Sequence, residues 1–300
     1  TQSISTNMSG IILRDIYFKD NITSSKGGDG GAVHINDNSA TTTVTISGCI
    51  FDGNQTTSTS EWPHGGAFTM NSGNVVTIEN SVFFDNHAYK AGGAIAFYGD
   101  NSSTLTINNS TFYNNEGRAN SCTQCNAQIV ASGNGQTYIN NSILYESDPD
   151  DSYHEDVIAR SSASITIRNS IVERTDDYNS GTISTSSVST SNPNWNDPTN
   201  DDFSLPDNSP AVDTGNSTYA PSDDLNDLLR PQGQADDMGA YERRNTWDGS
   251  TDTDWSTAAN WSEDFVPIAG RSPIIADVIN QPVISSDDGS SGDVTLEDIT

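Results

Sequence analysis

The sequence predicts an all-β solenoid in which short parallel strands stack as successive rungs. The first observation is a nine-residue phrase that recurs six times, with first residues 28 to 33 positions apart. Self-similarity at such a period is typical of solenoids and repeat arrays. The second is the content of the repeats, where β-branched residues, Gly and Asn outnumber good helix formers. The third is that only 32% of the residues are apolar, which favours many short strands over one thick core.

Two phrases define the repeat. The six copies of the first are LRDIYFKDN from Leu13, ISGCIFDGN from Ile46, IENSVFFDN from Ile78, INNSTFYNN from Ile107, INNSILYES from Ile139 and IRNSIVERT from Ile167. A second phrase precedes three of them, as GGAVHI at Gly30, GGAFTM at Gly65 and GGAIAF at Gly92. Because the side chains of a strand alternate between its two faces, each phrase predicts a strand with one inward and one outward row.

Stacking of like strands predicts columns of like side chains along the solenoid axis. The predicted core stack is Phe18, Phe51, Phe83, Phe112, Leu144 and Val172. A second inward column holds Leu13, Ile46, Ile78, Ile107, Ile139 and Ile167. Successive members of a column are expected about 4.8 Å apart, the spacing of hydrogen-bonded strands.

One position of the phrase carries a run of asparagines, namely Asn80, Asn109, Asn141 and Asn169, with Asp15 and Gly48 in the first two copies. Gly, Asn and Asp tolerate a left-handed backbone, so this position is predicted to be a corner between two strands. The stacked amides are further predicted to hydrogen-bond along the column as an Asn ladder.

The paired GGA and NSxFxxN phrases resemble the polymorphic-outer-membrane-protein type of repeat over roughly residues 10 to 180. The resemblance implies a right-handed parallel β-helix in a surface protein. No GGA precedes Ile139 or Ile167, so the last coils are expected to be irregular. We assign residues 1–191 to the β-helix repeats.

Residues 192–244 are predicted to close the solenoid. The segments SPAVDTG from Ser209, RP at Arg230 and DMGAYE from Asp237 resemble the closing region of secreted β-helix proteins with a choice-of-anchor arrangement. A turn-rich segment of this kind suits a cap over the last exposed strand edges. Arg230 is expected to pair with Asp213 or Asp237 in a structural role.

Residues 245–300 are predicted to be the truncated start of a small Trp-rich β module. This stretch resembles a unit of large secreted proteins of Bacteroidota-type bacteria, which often accompanies type IX secretion signals. Trp247, Trp255 and Trp261 are expected to form its core. Asp248, Asp252 and Asp254 are candidate calcium ligands, but their spacing lacks the Gly and terminal Glu of an EF-hand loop, so solvated turn carboxylates are favoured. No cofactor is required, and calcium is the one candidate.

The three cysteines do not form a disulfide framework. Cys122 and Cys125 form a lone C-x-x-C, which predicts a local disulfide or two free thiols, because a four-cysteine zinc site lacks its second pair. Cys49 falls where other copies have Ser and is predicted to be a small packed residue.

The net charge of −29 excludes a nucleic-acid partner, which would need clustered Lys and Arg. No apolar run approaches 18 residues, so this stretch is not expected to insert into a membrane. The first residues show no initiator Met or signal peptide, and the last end inside a strand-like alternation. We therefore expect a segment of a longer protein.

Three function classes are compatible with the fold. Many parallel β-helices are polysaccharide lyases or hydrolases, which need acidic and basic side chains on one outer face. In the first three copies, the outward positions after GG carry no carboxylate stack and no base. His34 and His64 are better explained as hydrogen-bonded surface residues. A third class, ice or crystal binding, would use outward Thr rows, and these break at Val75, Gln136 and Tyr138.

The favoured hypothesis is a non-enzymatic structural or adhesive segment of a large secreted bacterial cell-surface protein or extracellular appendage. Its expected partners are further copies of the same surface protein, carbohydrate, or a partner cell surface. Trp62, in the excursion before the second GGA, is the candidate binding-loop contact.

Overall fold

The structure, a computed structural model, describes residues 3–4, 10–24, 30–36, 42–57, 65–117, 126–146, 155–268 and 271–283. These residues form an all-β parallel solenoid, which confirms the predicted fold class. The only helices in these ranges are two short 3-10 turns, Pro198–Asn200 and Ala258–Asn260.

Three parallel sheets run along the solenoid axis. The first sheet contains Ser3–Ile4, Val33–Ile35, Phe68–Met70, Ile95–Gly99, Ala127–Gly133, Glu155–Arg160 and Thr175–Tyr178. The third sheet contains the short strands Ile22–Thr23, Gln55–Thr56, His87–Ala88 and Glu116–Gly117.

The second sheet has two limbs that meet in the continuous strand Ser164–Val172. The long limb contains Ile11–Arg14, Thr42–Ser47, Asn74–Glu79, Thr104–Asn108, Gln136–Asn140, Ser164–Val172 and Thr182–Ser189. The short limb contains Tyr17–Lys19, Ile50–Asp52, Val82–Phe84, Thr111–Tyr113 and Ile143–Tyr145. Each recurring phrase is therefore the end of a long-limb strand, a corner, and a short-limb strand.

The inward columns lie in register from rung to rung. The Phe rings of the core stack are nearly parallel, with centroid separations of 4.7 Å from Phe18 to Phe51, 4.4 Å from Phe51 to Phe83 and 4.7 Å from Phe83 to Phe112. Leu144 and Val172 extend this column by strand pairing. The second column pairs Leu13, Ile46, Ile78, Ile107, Ile139 and Ile167 in sequence. Because the spacing matches that of the strands, each ring covers the next and excludes water.

The GGA phrase marks the entry to a strand of the first sheet, where two backbones approach closely. A Cβ on Gly66 would lie 2.0 Å from the carbonyl oxygen of Gly93. A Cβ on Gly31 would lie 2.1 Å from the carbonyl oxygen of Gly66. Since no side chain fits at either distance, glycine is required at the second position of the phrase.

Residues 192–244, here called the closing segment, lie along the outer flank of the short limb. Outward side chains of the limb pack against apolar residues of the segment in one buried cluster, formed by Val82, Phe84, Tyr113, Ile143, Ile171, Trp195, Phe203, Leu205, Ala211, Met238 and Ala240. The last long-limb strand, Thr182–Ser189, stays mostly exposed. The segment therefore covers a lateral face of the short limb, because its apolar side chains match the outward Phe, Tyr and Ile of the limb. Its role as a cap over the last strand edges stays a prediction.

The described residues beyond 244 pack around three tryptophans. Trp261 is perpendicular to both Trp247 and Trp255, with centroids 5.2 Å and 4.7 Å away. All three side chains are buried. Two short strands, Thr246–Trp247 and Ile274–Ile275, pair in parallel beside them.

Candidate functional site

Each rung turns from the long limb to the short limb at one left-handed residue. The φ angles are 55° at Asp15, 63° at Gly48, 47° at Asn80, 42° at Asn109, 47° at Asn141 and 46° at Asn169. The structure thus places the predicted Asn column at a corner, where Asn, Asp and Gly cost the least backbone strain.

The corner amides hold the closing segment against the solenoid. Nδ2 of Asn80 donates a hydrogen bond to the carbonyl oxygen of Asp223 at 2.6 Å. Nδ2 of Asn109 donates to the carbonyl oxygen of Asp237 at 2.9 Å. These bonds join residues 143 and 128 positions apart in the chain.

A third corner makes a reciprocal contact. Nδ2 of Asn141 donates to the carbonyl oxygen of Asn216 at 2.9 Å, and Oδ1 of Asn141 accepts from the Asn216 N–H at 2.9 Å. Within the column itself, the described hydrogen bonds contain one link, from Nδ2 of Asn141 to Oδ1 of Asn109 at 3.1 Å. The predicted continuous ladder is therefore replaced by a clamp, because backbone groups of the closing segment compete for the same amides.

A continuous Asn ladder exists at the next corner, which the sequence reasoning missed. It is formed by the last residue of the phrase, Asn21, Asn54, Asn86 and Asn115. Each Nδ2 in this column donates to Oδ1 of the next at 2.8 to 2.9 Å. Nδ2 of Asn86 also donates to the Phe51 carbonyl at 2.8 Å, so the direction of the ladder is fixed by an acceptor-only partner. The signal was in the phrase, since four of its six copies end in Asn.

The ladder ends on a buried carboxylate. Nδ2 of Asn115 donates to Oε1 of Gln128 at 2.9 Å, and Nε2 of Gln128 donates to Oδ1 of Asp156 at 2.6 Å. Oδ2 of Asp156 accepts from the backbone N–H groups of Glu173 and Arg174 at 2.7 and 3.1 Å. Burial raises the pKa of Asp156 to about 7, although these donors oppose the shift.

A serine ladder runs inside the first corner. Oγ of Ser81 accepts from the N–H of Cys49 at 3.2 Å and donates to the Glu79 carbonyl at 2.8 Å. The same pattern recurs at Ser110, Ser142 and Ser170. Cys49 occupies this column as a buried free thiol, as its place in the phrase predicts, and burial raises its pKa.

The closing segment is built around a buried ion pair. Nη1 of Arg230 lies 2.6 Å from Oε2 of Glu242, with both side chains fully buried. Arg230 therefore pairs with Glu242, and the predicted pairing with Asp213 or Asp237 is wrong. The carboxylate of Asp237 instead accepts the N–H groups of Asp213 and Arg243, each at 2.7 Å. Burial raises the pKa of both Glu242 and Asp237.

The same network reaches the Trp-rich residues. The guanidinium of Arg243 binds Oε1 of Glu263 and, at 2.6 Å, Oδ1 of Asp207. Burial raises the pKa of Glu263 to about 7. Through this arginine, carboxylates on either side of residue 244 share one partner.

The long limb carries outward rows of half-buried and exposed side chains. One row aligns Ile12, Thr45, Thr77, Thr106, Tyr138, Thr166 and Ser184. The neighbouring row aligns Thr43, Val75, Thr104, Gln136, Ser164 and Thr182. The Thr rows break at Val75, Gln136 and Tyr138. Where the row reaches Tyr138, the guanidinium of Arg168 lies 5.5 Å from that ring and 5.7 Å from the ring of Tyr219.

The outward face of the first sheet was the place predicted for any carbohydrate-cleaving groups. One row aligns His34, Thr69, Ala96, Val130, Ile158 and Asp176. Its four middle members are fully buried, so only the two ends of the row reach solvent. Nε2 of His34 lies 3.2 Å from Nδ2 of Asn71. Tyr178 and Arg160 are paired in the adjacent row, and the hydrogen bond from Tyr178 to Asp176 raises the tyrosine pKa to about 12.

The three candidate calcium ligands lie in successive turns. Oδ1 of Asp252 accepts from the Asp254 N–H at 2.8 Å and from Nδ2 of Asn260 at 2.7 Å, and both contacts lower its pKa. Oδ1 of Asp248 and Oδ1 of Asp254 each accept the N–H two residues later. In the described ranges, no three His, Cys, Asp or Glu side chains gather as a metal-binding group.

Four residues singled out in the sequence lie outside the described residues: Trp62, His64, Cys122 and Cys125. The binding-loop role of Trp62 and the disulfide between Cys122 and Cys125 stay predictions.

A cleft opens between the short limb and the start of the closing segment. Its volume is about 550 Å³. Its floor is formed by the half-buried or buried rings of Tyr113, Tyr145 and Trp195, and its rim includes exposed asparagines and two prolines. Trp195 stands perpendicular to Tyr113 and Tyr145, with centroids 5.4 Å and 6.1 Å away.

None of the protein-family models, curated proteins or solved structures compared with the chain matches it. No helix in the described part of the chain has the length and apolar character that crossing a membrane demands.

Proposed function

We propose that the chain is a rigid, non-enzymatic structural and adhesive segment of a secreted bacterial cell-surface protein or extracellular appendage. The observation that carries the proposal is the clamp, in which Asn80, Asn109 and Asn141 on three successive rungs bind backbone groups of one distant segment. A solenoid without such a brace is held together rung by rung, because each coil contacts only its neighbours. A segment fixed to three rungs resists their separation and bending.

Two internal features support a role in resisting force along the solenoid axis. The buried Asn ladder adds side-chain hydrogen bonds along the axis, parallel to those of the strands. The Phe stack adds continuous apolar contact in the same direction. Both act between rungs, which is where a pulling force along the solenoid would separate the structure.

The adhesive part of the proposal rests on the exposed long limb. Its rows present hydroxyl, amide and aromatic groups at the regular spacing of strands, a geometry suited to repetitive surfaces such as carbohydrate polymers or further copies of the chain. The net charge of −29 makes copies repel, so self-assembly should strengthen as salt screens the charge.

The alternative activity, cleavage of polysaccharides, needs an accessible acid and base. Asp156, whose carboxyl pKa is raised to about 7, is 2% exposed and already binds three donors, so it is not accessible to a polymer. On the first sheet, Asp176 raises the pKa of Tyr178, which is the opposite of what a tyrosine base near neutral pH requires.

The proposal is tested with microspheres coated with the chain. We expect bacterial cells and immobilised polysaccharides to retain these spheres better than spheres coated with heat-denatured chain. We also expect the chain to release no reducing or unsaturated ends from a panel of acidic and neutral polysaccharides. Release of such ends would replace the structural role with an enzymatic one. Equal retention of native and denatured coats would remove the adhesive role.

A further inference from the structure

A cleft lies between Tyr145 and the closing segment. Its volume of about 550 Å³ falls within the roughly 300–1,000 Å³ of typical small-molecule sites. Two parts of the chain that are distant in sequence build it, the short limb and residues 192–208. The apolar packing of Trp195, Phe203 and Leu205 on the short limb fixes the shape of the cleft.

The chemistry of the lining is uncharged. All the residues that line the cleft are Tyr, Trp, Asn or Pro, in a chain with a net charge of −29. An anionic ligand would meet the negative field of the protein without a Lys or Arg at the site to offset it. A cationic ligand would find no carboxylate in the lining.

The rim carries amides with unused capacity. Asn194 and Asn208 are exposed, and no hydrogen bond within the described residues engages either side-chain amide. Each amide has two donors and an acceptor, so each can pair with a ligand hydroxyl in either direction. The indole N–H of Trp195 is buried and lacks a hydrogen-bond partner in the described part of the chain.

We infer that this cleft binds a neutral saccharide. The half-buried ring of Tyr145 and the exposed 8% of Trp195 offer apolar surface to the C–H face of a sugar. The rim amides offer hydrogen bonds to its hydroxyls. The combination of aromatic floor, amide rim and absence of charge in the lining fits uncharged pyranose units better than any ionic ligand. The inference names a ligand class for the adhesive role and in that sense rests on the proposed function.

The test uses side-chain NMR of the whole chain with four neutral disaccharides, maltose, cellobiose, mannobiose and di-N-acetylchitobiose, and with digalacturonate as the charged comparison. The indole signal of Trp195 is assigned by its loss in the Trp195→Phe variant. We expect millimolar amounts of at least one neutral disaccharide to shift this signal in a saturable way. Digalacturonate should leave it unchanged.

Two rim variants and one control define the site. Asn208→Ala removes one rim amide. Asn194→Gly removes another, and glycine adopts the φ of 56° at this position without strain. Each should weaken disaccharide binding at least severalfold. Asn101→Ala changes an exposed turn asparagine that does not line the cleft and should leave binding unchanged.

The inference is overturned if no neutral disaccharide shifts the Trp195 signal, if digalacturonate binds as well, or if the rim variants bind like the control. Failure here is distinguishable from failure of the adhesive role. Microspheres retained by a chain that binds no disaccharide would leave the adhesive role standing without this site. A disaccharide that binds without retention of microspheres would establish the site and end the adhesive role.

Discussion

Asn109 and Asp237 meet across 128 residues of chain, with the asparagine amide donating to the aspartate carbonyl oxygen at 2.9 Å. The contact joins a corner of the solenoid to the closing segment, and both side chains are buried. Beside it, the Gly239 N–H donates to the Asn141 carbonyl at 2.7 Å and the Ala240 N–H to Oγ1 of Thr111 at 3.0 Å. A left-handed corner thus serves two purposes, turning the chain and presenting an amide outward.

The Phe stack should dominate the stability of the solenoid. Phe83 is fully buried between Phe51 and Phe112, so Phe83→Ala opens a cavity and should lower the free energy of unfolding by about 3–5 kcal/mol. Urea titration followed by circular dichroism measures the loss. The control is Tyr89→Ala, whose side chain is 44% exposed and whose cost should stay near 0.5 kcal/mol. Equal costs would contradict the stacked core.

The buried Asn ladder should be costly to interrupt. Asn86→Ala removes five hydrogen bonds, two that Oδ1 accepts from Asn54 and three that Nδ2 donates to the Phe51 and Phe84 carbonyls and to Oδ1 of Asn115. The buried Asn54 N–H is left without its side-chain acceptor, whereas Nδ2 of Asn54 keeps its bond to the Phe18 carbonyl. Since each lost bond contributes about 0.5–1.5 kcal/mol and an unsatisfied buried N–H costs about 1–3 kcal/mol, the loss should reach at least about 3 kcal/mol.

The matched control for the ladder lies on the outward face. Oδ1 of Asn108 accepts one hydrogen bond, from Asn140, and its side chain is half-buried. Asn108→Ala should therefore cost less than about 1 kcal/mol. A ladder variant as stable as this control would show that the internal amides do not hold the rungs together.

The ion pair of Arg230 and Glu242 should stabilise the closing segment only as a pair. Arg230→Met leaves a buried carboxylate unpaired, which typically costs about 3–5 kcal/mol. Adding Glu242→Gln removes that charge but turns one of two oxygens that each accept a backbone N–H into a donor. The loss in the double variant should therefore be smaller than the sum of the losses in Arg230→Met and Glu242→Gln. Urea unfolding monitored by tryptophan fluorescence measures all three variants, and losses that simply add would contradict the pairing.

The stability of the chain should depend on the protonation of Asp156. Its folded pKa is about 7, raised by burial above the ordinary value of 3.8. The folded state therefore holds a proton that the unfolded state has already released, and stability falls as the pH rises from about 4 through about 7. The expected decline is on the order of a few kcal/mol.

Other buried carboxyls with raised pKa also lower the stability as the pH rises. The contribution of Asp156 must therefore be measured as a difference between the wild type and a variant. Urea unfolding of the wild type and of Asp156→Asn at pH 5 and pH 8 isolates the contribution, since the variant cannot ionise. The wild type should lose more stability between these two pH values than the variant. An equal loss of stability in the wild type and the variant would show that the pKa of Asp156 is not raised in the folded state.

Much of the solenoid could be predicted because each structural position occurs in several copies of the repeated phrase. The Phe column and the left-handed corner are repeated in every early copy, so their register follows from the spacing of the phrases. The Asn54 and Asn86 ladder was missed although it was equally periodic. Its side chains point inward at a corner, and inward polarity is stable only with partners that the one-dimensional pattern does not show.

The placement of the closing segment could not be predicted for a similar reason. Its contacts with Asn80 and Asn109 are made mainly by backbone carbonyls, which carry no sequence signal. The carboxylates of Glu242 and Asp237 each accept two backbone N–H groups. Which of them Arg230 pairs with depends on their placement in three dimensions, which no local motif shows. The cleft beside Trp195 arises from two distant parts of the chain, so no local motif marks it.

The clamp is tested most directly by hydrogen–deuterium exchange of Asn109→Gly beside Asn169→Gly. Both corners have a left-handed φ, 42° and 46°, which glycine adopts without strain. Asn109 contacts the closing segment, whereas no described hydrogen bond uses the side chain of Asn169. The account predicts that Asn109→Gly alone speeds exchange at the Gly239 and Ala240 amides about tenfold, the equivalent of roughly 1.4 kcal/mol. Equal exchange at these amides in the two variants would contradict it.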